Sequence, residues 1–373
     1  MRVLHVSQPC EGGVANAVGA LVDDQLRRGW EVTVACPTAG LLPGDVGTLA
    51  PYASAAGARH VLWRARRAPS PRSLLEMARL ARILRNEQYD VVHLHASKAG
   101  LAGRAVLRGR QTTIFQPHGW PFLAVTGALR RATKHWERLA ALWAHAIVCV
   151  SEDELQLGRA ERIAGSYVVI PNGIDLDRFS AATDADRLEA RTRLGLDAAA
   201  PLVVCVGRLS REKGQDILLE SWPGVLARLG SARLALVGSG RDERALRERA
   251  HESVLFAGER VDVPDWLAAA DVVAVPSRRE GMALTMLEAM GRGRSVVATQ
   301  VAGAREAISD EAGAVVPTSD TRALADALAR RLLDPALARG EGSAARSRAE
   351  RFHDVRVTTG AVAALYRVVI ANR

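Results

Sequence analysis

The stretch Val3-Leu4-His5-Val6-Ser7-Gln8-Pro9-Cys10-Glu11-Gly12-Gly13-Val14 joins a short apolar run to a turn-rich loop and a pair of glycines. The amphipathic pattern Val14 to Arg28 follows directly. Strand, glycine loop, then helix is the repeating unit of parallel sheets wrapped by crossover helices. Adjacent glycines let backbone amides approach an anion, and a helix N-terminus favours phosphate there. A tight strand-to-helix turn without a ligand would read the same, and the spacing is not the G-x-G-x-x-G dinucleotide fingerprint.

The alternation continues along the chain. Further strand patterns in the first half are Val32 to Cys36, Val91 to Leu94, Thr113 to Gln116, Ala146 to Val150 and Tyr167 to Ile170. In the second half they are Leu202 to Val206, Arg233 to Val237, Val254 to Ala257, Val272 to Val275, Ser295 to Ala298 and Ala314 to Val316. With 373 residues the chain exceeds the usual reach of one core. The fold class is therefore α/β, with two Rossmann-like doubly wound domains. Pro171-Asn172-Gly173-Ile174-Asp175 and the polar stretch Ser180 to Asp186 read as the linker. This divides the chain into an N-terminal domain, 1–171, and a C-terminal domain, 172–354, with a last helix in 355–373 that packs back on the first. Ligands of open parallel sheets bind beyond the strand C-termini, so the loops that follow strands are the candidate site.

The formal net charge is +9. A basic balance suits phosphorylated substrates, anionic lipid or nucleic acid. Basic runs such as Arg64 to Arg67 lack any nucleic-acid module signature, so nucleic acid is not expected as a partner. Cys10, Cys36, Cys149 and Cys205 are scattered, three of them in apolar runs, and read as reduced core residues. The N-terminus lacks a signal-peptide pattern and no stretch is long enough to cross a membrane, so a cytoplasmic protein is expected.

Two further loops carry charge suited to a diphosphate. Val206-Gly207-Arg208-Leu209-Ser210-Arg211-Glu212-Lys213-Gly214 sets a guanidinium and an ammonium around one turn, which could hold phosphate oxygens without a metal. In Val275-Pro276-Ser277-Arg278-Arg279-Glu280-Gly281-Met282-Ala283-Leu284-Thr285-Met286-Leu287-Glu288, Glu280 precedes a helix and Glu288 lies inside it. Amides of Ala283 to Thr285 would point at an anion, with Glu280 reaching hydroxyls on one side and Glu288 a ribose on the other. Alone, two carboxylates near a helix start are ordinary complements of its dipole.

The ordered set Gly12-Gly13, Pro171-Asn172-Gly173, Gly207-Arg208 to Lys213-Gly214, Gly238-Ser239-Gly240 and Glu280-x7-Glu288 resembles the family 4 glycosyltransferases over nearly the whole chain. The resemblance implies the GT-B fold, two Rossmann-like domains facing a central cleft, and transfer of a sugar from a nucleoside diphosphate with retention of configuration. It assigns Arg208 and Lys213 to the donor diphosphate, Glu288 to the ribose and Glu280 to hydroxyls of the donor sugar. Gly12 and Gly13 would close over the phosphate, with Gly207 and Gly238 in the donor loops. His118, in Gln116-Pro117-His118-Gly119-Trp120, matches the position whose imidazole faces the transferred sugar. Arg260 and Val261 match the loop that holds the nucleobase. Catalysis would then rest on His118, Arg208, Lys213 and Glu280.

Met282 and Ala283 depart from the aromatic and glycine frequent in the family and obscure the donor sugar, while Leu284 and Thr285 keep their amide positions. The expected reaction moves a hexosyl or N-acetylhexosaminyl group, from a UDP-sugar in the first instance, to a hydroxyl in a bacterial polysaccharide, glycolipid or secondary-metabolite pathway. No cofactor and no metal are expected, since no candidate site loop offers an Asp-x-Asp pair. His95, Ser97, Lys98 and His118 are the acceptor-site candidates; metal binding by His93 and His95 requires both rings to converge. Arg130, Arg131, Lys134 and Arg138 share one helical arc in 127–145, opposite Trp136, Leu139, Leu142 and Trp143. That helix either packs its apolar side into the core or rests on the anionic inner face of the plasma membrane near a lipid-linked acceptor. A GT-B-shaped epimerase or phosphorylase, and a non-catalytic sugar-nucleotide binder, are the competing readings.

Overall fold

A computed structural model describes residues 1–38, 47–66 and 72–372. Arg67, which ends one basic run, and the terminal Arg373 lie outside the described residues. The chain divides into two compact units, Met1–Asn172 with Arg356–Arg373, and Gly173–Val355.

The first unit runs β1 (Arg2–Ser7), α1 (Gly12–Arg27), β2 (Glu31–Cys36), α2 (Leu49–Ala56), β3 (Arg59–Leu62), α3 (Ser73–Asn86), β4 (Val91–His95) and α4 (Ala96–Leu107). It continues with β5 (Thr113–Gln116), α5 (Gly127–Ala141), β6 (Ala146–Cys149), α6 (Glu152–Ala160) and β7 (Tyr167–Val169). The second unit runs α7 (Asp184–Leu194), β8 (Leu202–Val206), α8 (Gln215–Leu226), β9 (Arg233–Val237), α9 (Glu243–Arg247), β10 (Val254–Gly258) and α10 (Val263–Ala269). Then come β11 (Val272–Val275), α11 (Leu284–Gly291), β12 (Ser295–Thr299), α12 (Ala304–Ala307), β13 (Gly313–Val316), α13 (Thr321–Leu333) and α14 (Pro335–Phe352), after which α15 (Val355–Ala371) belongs, from Arg356 on, to the first unit.

Among the described residues one sheet has the order β3-β2-β1-β4-β5-β6-β7 and the other β10-β9-β8-β11-β12-β13. Every strand pairing in both is parallel. Strand order therefore reverses between β1 and β4 in one unit and between β8 and β11 in the other. At such a reversal the crossovers leave on opposite faces, and a crevice opens beyond the strand C-termini. The loops after β1, β4, β8 and β11 are among those that the sequence marks for chemistry.

Apolar runs form the central strands because helices cover both of their faces. β4, β5, β6 and β12 are buried at every position. β3 escaped the sequence reading: it is a short edge strand, Arg59-His60-Val61-Leu62, only partly buried, and lacks an apolar run. Ser180 to Asp186 is not a linker throughout. Thr183 accepts from the Asp186 amide while Asp186 accepts from the Thr183 amide, a capping box that starts α7 within the second unit. None of the four cysteines is in a disulfide, and all are buried.

Helices seat closely where glycine removes a side chain. A Cβ on Gly100 would stand 2.3 Å from the Phe115 ring, and one on Gly103 2.4 Å from Leu94. This brings Arg104 of α4 over the Phe115 ring, 3.7 Å from its centroid, where it forms a buried bidentate pair with Glu137 of α5 at 2.9 and 2.8 Å. The final helix α15 closes one face of the first sheet: Val362 and Tyr366 pack with Val3, Val91, Ile114 and Val148. Tyr366 is fully buried, lies 6.1 Å from the Trp30 ring centroid and shares a 2.6 Å hydrogen bond with Nδ1 of His93. Truncating such a side chain leaves both a cavity and an unpaired imidazole. Tyr366→Ala is expected to lower unfolding free energy by roughly 3–5 kcal/mol in denaturant titration; Tyr366→Phe, which removes only the hydroxyl, should lose less.

Candidate active site

In the second unit the loop after β8 is threaded between two others by glycines that tolerate no Cβ. A Cβ on Gly214, at φ 71°, would stand 2.0 Å from the Pro276 carbonyl oxygen. One on Gly238, at φ 138°, would stand 2.2 Å from the Gly207 oxygen, and one on Gly240 2.2 Å from the Leu209 oxygen. The backbones after β8, β9 and β11 thus touch directly. The amide of Leu209 donates to the Ser239 carbonyl at 2.9 Å and that of Arg278 to the Glu212 carbonyl at 2.8 Å. Arg278 also forks onto Asp216 of α8 at 2.6 and 2.8 Å, and Arg279 reaches Glu212 at 2.9 Å.

This stitching brings Lys213 and Glu280 together. Lys213 Nζ donates to Glu280 Oε1 at 2.6 Å, and Ser277 Oγ donates to the same oxygen at 2.7 Å. Both partners keep some contact with solvent, so the pair is available to a ligand. Arg208 lies half-buried in the same loop. α11 begins at Leu284, with Ala283 as its extended flanking residue; Met282 and Ala283 are buried and Leu284 and Thr285 half-buried. Its first-turn amides have no intrahelical acceptors and present positive partial charge. Glu288, one turn inside, is half-buried, and burial pushes its carboxyl up to about 7, with Arg178 and Lys213 pulling the other way. Val261 is exposed, whereas the Arg260 guanidinium is engaged by Asp262 at 2.8 Å, in the loop after β10.

The first unit holds a different assembly. Gly12 and Gly13 are exposed at the start of α1, Gly12 at φ 62°. Within β1 and β4 and just past β5 lies a row of imidazoles. His5 Nε2 meets Gln25 Oε1 at 2.9 Å, His5 Nδ1 meets His95 Nε2 at 2.9 Å, and His95 Nδ1 meets His118 Nε2 at 3.2 Å. His5, His93 and His95 are fully buried, and each has a ring nitrogen within 4.8 Å of one on each of the others, a grouping from which a metal site could be built. Burial lowers His5 and His118 to about 4 and holds His93 and His95 well below the ordinary range.

The acceptor candidates separate. Ser97 is exposed, His118 half-buried and His95 wholly interior. Lys98 is also interior: its ammonium pairs with Glu76 at 2.7 Å and donates to Ser73 Oγ at 2.8 Å, so it ties α4 to α3 and is not offered to an acceptor. Leu139 of α5 and Leu142 just past its end, placed by the helical wheel opposite the basic arc, are exposed, as is Leu129. Lys134 is held by Glu161, and Trp136 meets Trp143 edge-on at 5.9 Å.

Several site residues escaped the sequence reading. Glu154 clamps the His118 loop, accepting the Gly119 amide at 2.5 Å and the Val150 amide at 2.8 Å while its carbonyl accepts from the Trp120 indole at 2.7 Å. Ser151-x-x-Glu154 is a capping-box pattern that sequence alone could have flagged. Gln25, Ser277 and Arg178 carry no such signal, because only the fold brings them to their partners.

A family model described as Glycosyltransferase Family 4 matches residues 11–178, and one described as Glycosyl transferases group 1 matches 200–334. A GDP-mannose-dependent monoacylated alpha-(1-6)-phosphatidylinositol monomannoside mannosyltransferase of Corynebacterium glutamicum is 32% identical over 73% of this chain and 74% of its own length. The chain belongs to glycosyltransferase family 4. A second relative of this glycosyltransferase, the UDP-Gal:alpha-D-GlcNAc-diphosphoundecaprenol alpha-1,3-galactosyltransferase of Escherichia coli, is 28% identical over 67% of this chain and 68% of its own length. The solved structure of a sucrose-phosphate synthase from Thermosynechococcus elongatus covers 100% of the chain, and 99% of that structure is covered, at a TM-score of 0.84 and 24% identity. The fold is GT-B. Among the described residues no helix is long and apolar enough to cross a membrane.

The glycosyltransferase's Glu288 yields a pH prediction. Its folded pKa, about 7, lies above the ordinary 4.5, so the folded state binds the extra proton between these values. Destabilisation is absent below the lower value, grows as pH rises and is complete above the upper one. Glu288→Gln should therefore raise Tm by a few degrees at about pH 8 and leave it unchanged at about pH 4 in thermal melts without donor.

Proposed function

We propose that this glycosyltransferase moves a hexosyl group from a nucleoside diphosphate sugar to an acceptor hydroxyl, with retention of configuration and without a resident metal. The observation that carries this reading is the Lys213–Glu280 pair at 2.6 Å beside the start of α11. An ammonium has three protons, so Lys213 can keep Glu280 and still donate to a phosphate oxygen. Arg208 and the first-turn amides supply the remaining positive charge, and preorganised charge of this kind stabilises a departing diphosphate. Glu280, held by Lys213 and Ser277, is placed to accept from sugar hydroxyls, and Glu288 from the ribose.

In the proposed step the acceptor oxygen attacks the anomeric carbon on the face that the diphosphate leaves. The bond from that carbon to the phosphate oxygen breaks, and the departing phosphate takes the acceptor's proton. Products are the glycoside and the nucleoside diphosphate. His118 is assigned to the sugar being transferred, and Ser97 is the exposed acceptor candidate after β4. The sequence reading placed a uridine donor first. The name of the Corynebacterium relative supports a guanosine donor, GDP-mannose, and that of the Escherichia coli relative UDP-galactose, so GDP-mannose heads the order of testing. Exposed Leu129, Leu139 and Leu142 with Arg130 and Arg131 on α5 support a lipid-linked acceptor met at an anionic membrane surface.

Incubation with GDP-mannose or UDP-sugars and lipid-linked or soluble acceptors should release nucleoside diphosphate only when acceptor is present. Sugar isomerisation without acceptor would favour an epimerase, a requirement for inorganic phosphate a phosphorylase, and donor binding without release a binding protein. Lys213→Ala is expected to lower kcat about a hundredfold or more while the far-ultraviolet circular dichroism and melt stay native; full turnover would remove the diphosphate assignment. Chelator treatment should leave turnover unchanged, and activity lost to chelator and regained with magnesium or manganese would overturn the metal-free step.

A further inference from the structure

The row of imidazoles in the first unit ends at His118, and its order of donors and acceptors has a consequence for that ring. The structure turns the carboxamide oxygen of Gln25 toward His5, and in that orientation Oε1 accepts at the 2.9 Å contact, so His5 Nε2 carries the proton. A neutral His5 then has a bare Nδ1, and the 2.9 Å contact there requires a proton on His95 Nε2. This leaves His95 Nδ1 bare, so at 3.2 Å His118 Nε2 must donate. We propose that Gln25, His5 and His95 are positioning residues, a one-way chain of neutral imidazoles that holds His118 as its Nε2–H tautomer with Nδ1 as a bare accepting nitrogen. An imidazole so fixed meets a substrate as an acceptor for a hydroxyl proton and not as a donor. The proposal rests on the assignment of His118 to the transferred sugar for its catalytic consequence only.

Two features set the chain at its outer end. His118 adopts φ 53°, and Ala96, directly after His95, adopts φ 63°, conformations that residues with a Cβ rarely hold without a compensating contact. Glu154 supplies that contact for the His118 turn through the Gly119 amide. Strand register supplies the rest: His5 lies beside His93, Ser7 beside His95, and His95 beside Gln116, two residues before His118.

The alternative use of these rings is a cation held by His5, His93 and His95, for which the unpartnered Nε2 of His93 speaks. That group contains no carboxylate. A divalent ion would bring two uncompensated charges into a place where burial already holds one proton off His5 down to about pH 4. The ring centroids of His93 and His95 are 4.0 Å apart. Rings that share a tetrahedral ion at ~2.0–2.1 Å per bond sit about 5 Å apart, so this pair would have to spread. The neutral chain needs no such movement.

Nitrogen NMR of the full chain labelled with 15N-histidine, at neutral pH and without substrates, reads the tautomer directly. The expected His118 spectrum has a pyrrole-type Nε2 and a pyridine-type Nδ1; the reverse pattern would overturn the chain. Gln25→Leu removes the terminal acceptor and should give a mixture of both His118 tautomers with a kcat about tenfold lower, and Gln25→Glu, read at a pH where its carboxylate is ionised and can only accept, should restore the single form. An unchanged single tautomer in Gln25→Leu would overturn the role of Gln25. Zinc should not raise Tm, and a rise that saturates at one ion per chain would replace the chain by a metal site. Full turnover in His118→Ala beside the expected spectrum would count against the functional assignment of His118 and not against the tautomer.

Discussion

At Gly214 a Cβ would overlap the Pro276 carbonyl, and at Gly238 it would overlap that of Gly207. Direct backbone contact at these points sets the geometry of the strand-end loops in the second unit. Parallel strands bring the loops after β8, β9 and β11 to the same end of the sheet, but side chains between them would hold the backbones apart. Glycine removes that layer, so Lys213 from one loop comes within 2.6 Å of Glu280 from another. Glu280 stands four residues before α11, whose first-turn amides carry positive partial charge. The shape of the site is therefore a property of the main chain, and the charged side chains are hung on it.

The placement of charge divides the basic residues into two populations. Arg104 with Glu137, Lys98 with Glu76 and Arg331 with Glu341 are buried pairs that tie helices together. Breaking such a pair strands a charge in low dielectric, so their cost of loss is large even where their net gain is small. Lys213 and Glu280 are only partly covered, and their charges remain open to exchange with a ligand. The first unit takes the opposite course along β1 and β4 and just past β5. There four histidines are kept neutral by burial, and polarity is carried by the direction of their hydrogen bonds.

Much of this was legible in the chain itself. Apolar runs separated by amphipathic stretches announce a parallel sheet, because strands covered on both faces need no polar alternation. The loops at Gly12-Gly13, Gly207 to Gly214 and Glu280 to Glu288 could be picked out because glycine beside charge after a strand is a local pattern. β3 was hidden because an edge strand that includes arginine and histidine has no such pattern. Lys98 and Ser97 are neighbours in sequence, yet one is interior and the other exposed. Periodicity could not separate them, since the difference depends on Glu76 and Ser73 arriving from α3.

By itself the sequence determined the fold class, the order of the loops and the family, all of which are written in residues close together along the chain. Only the tertiary structure decided which charges are spent on structure, that Lys213 and Glu280 meet across sixty-seven positions of sequence, and that His5 and Gln25 stand behind His118. The reason is physical: hydrogen bonds and desolvation act over a few ångströms of space, and the strand order, not sequence separation, sets which side chains share that space.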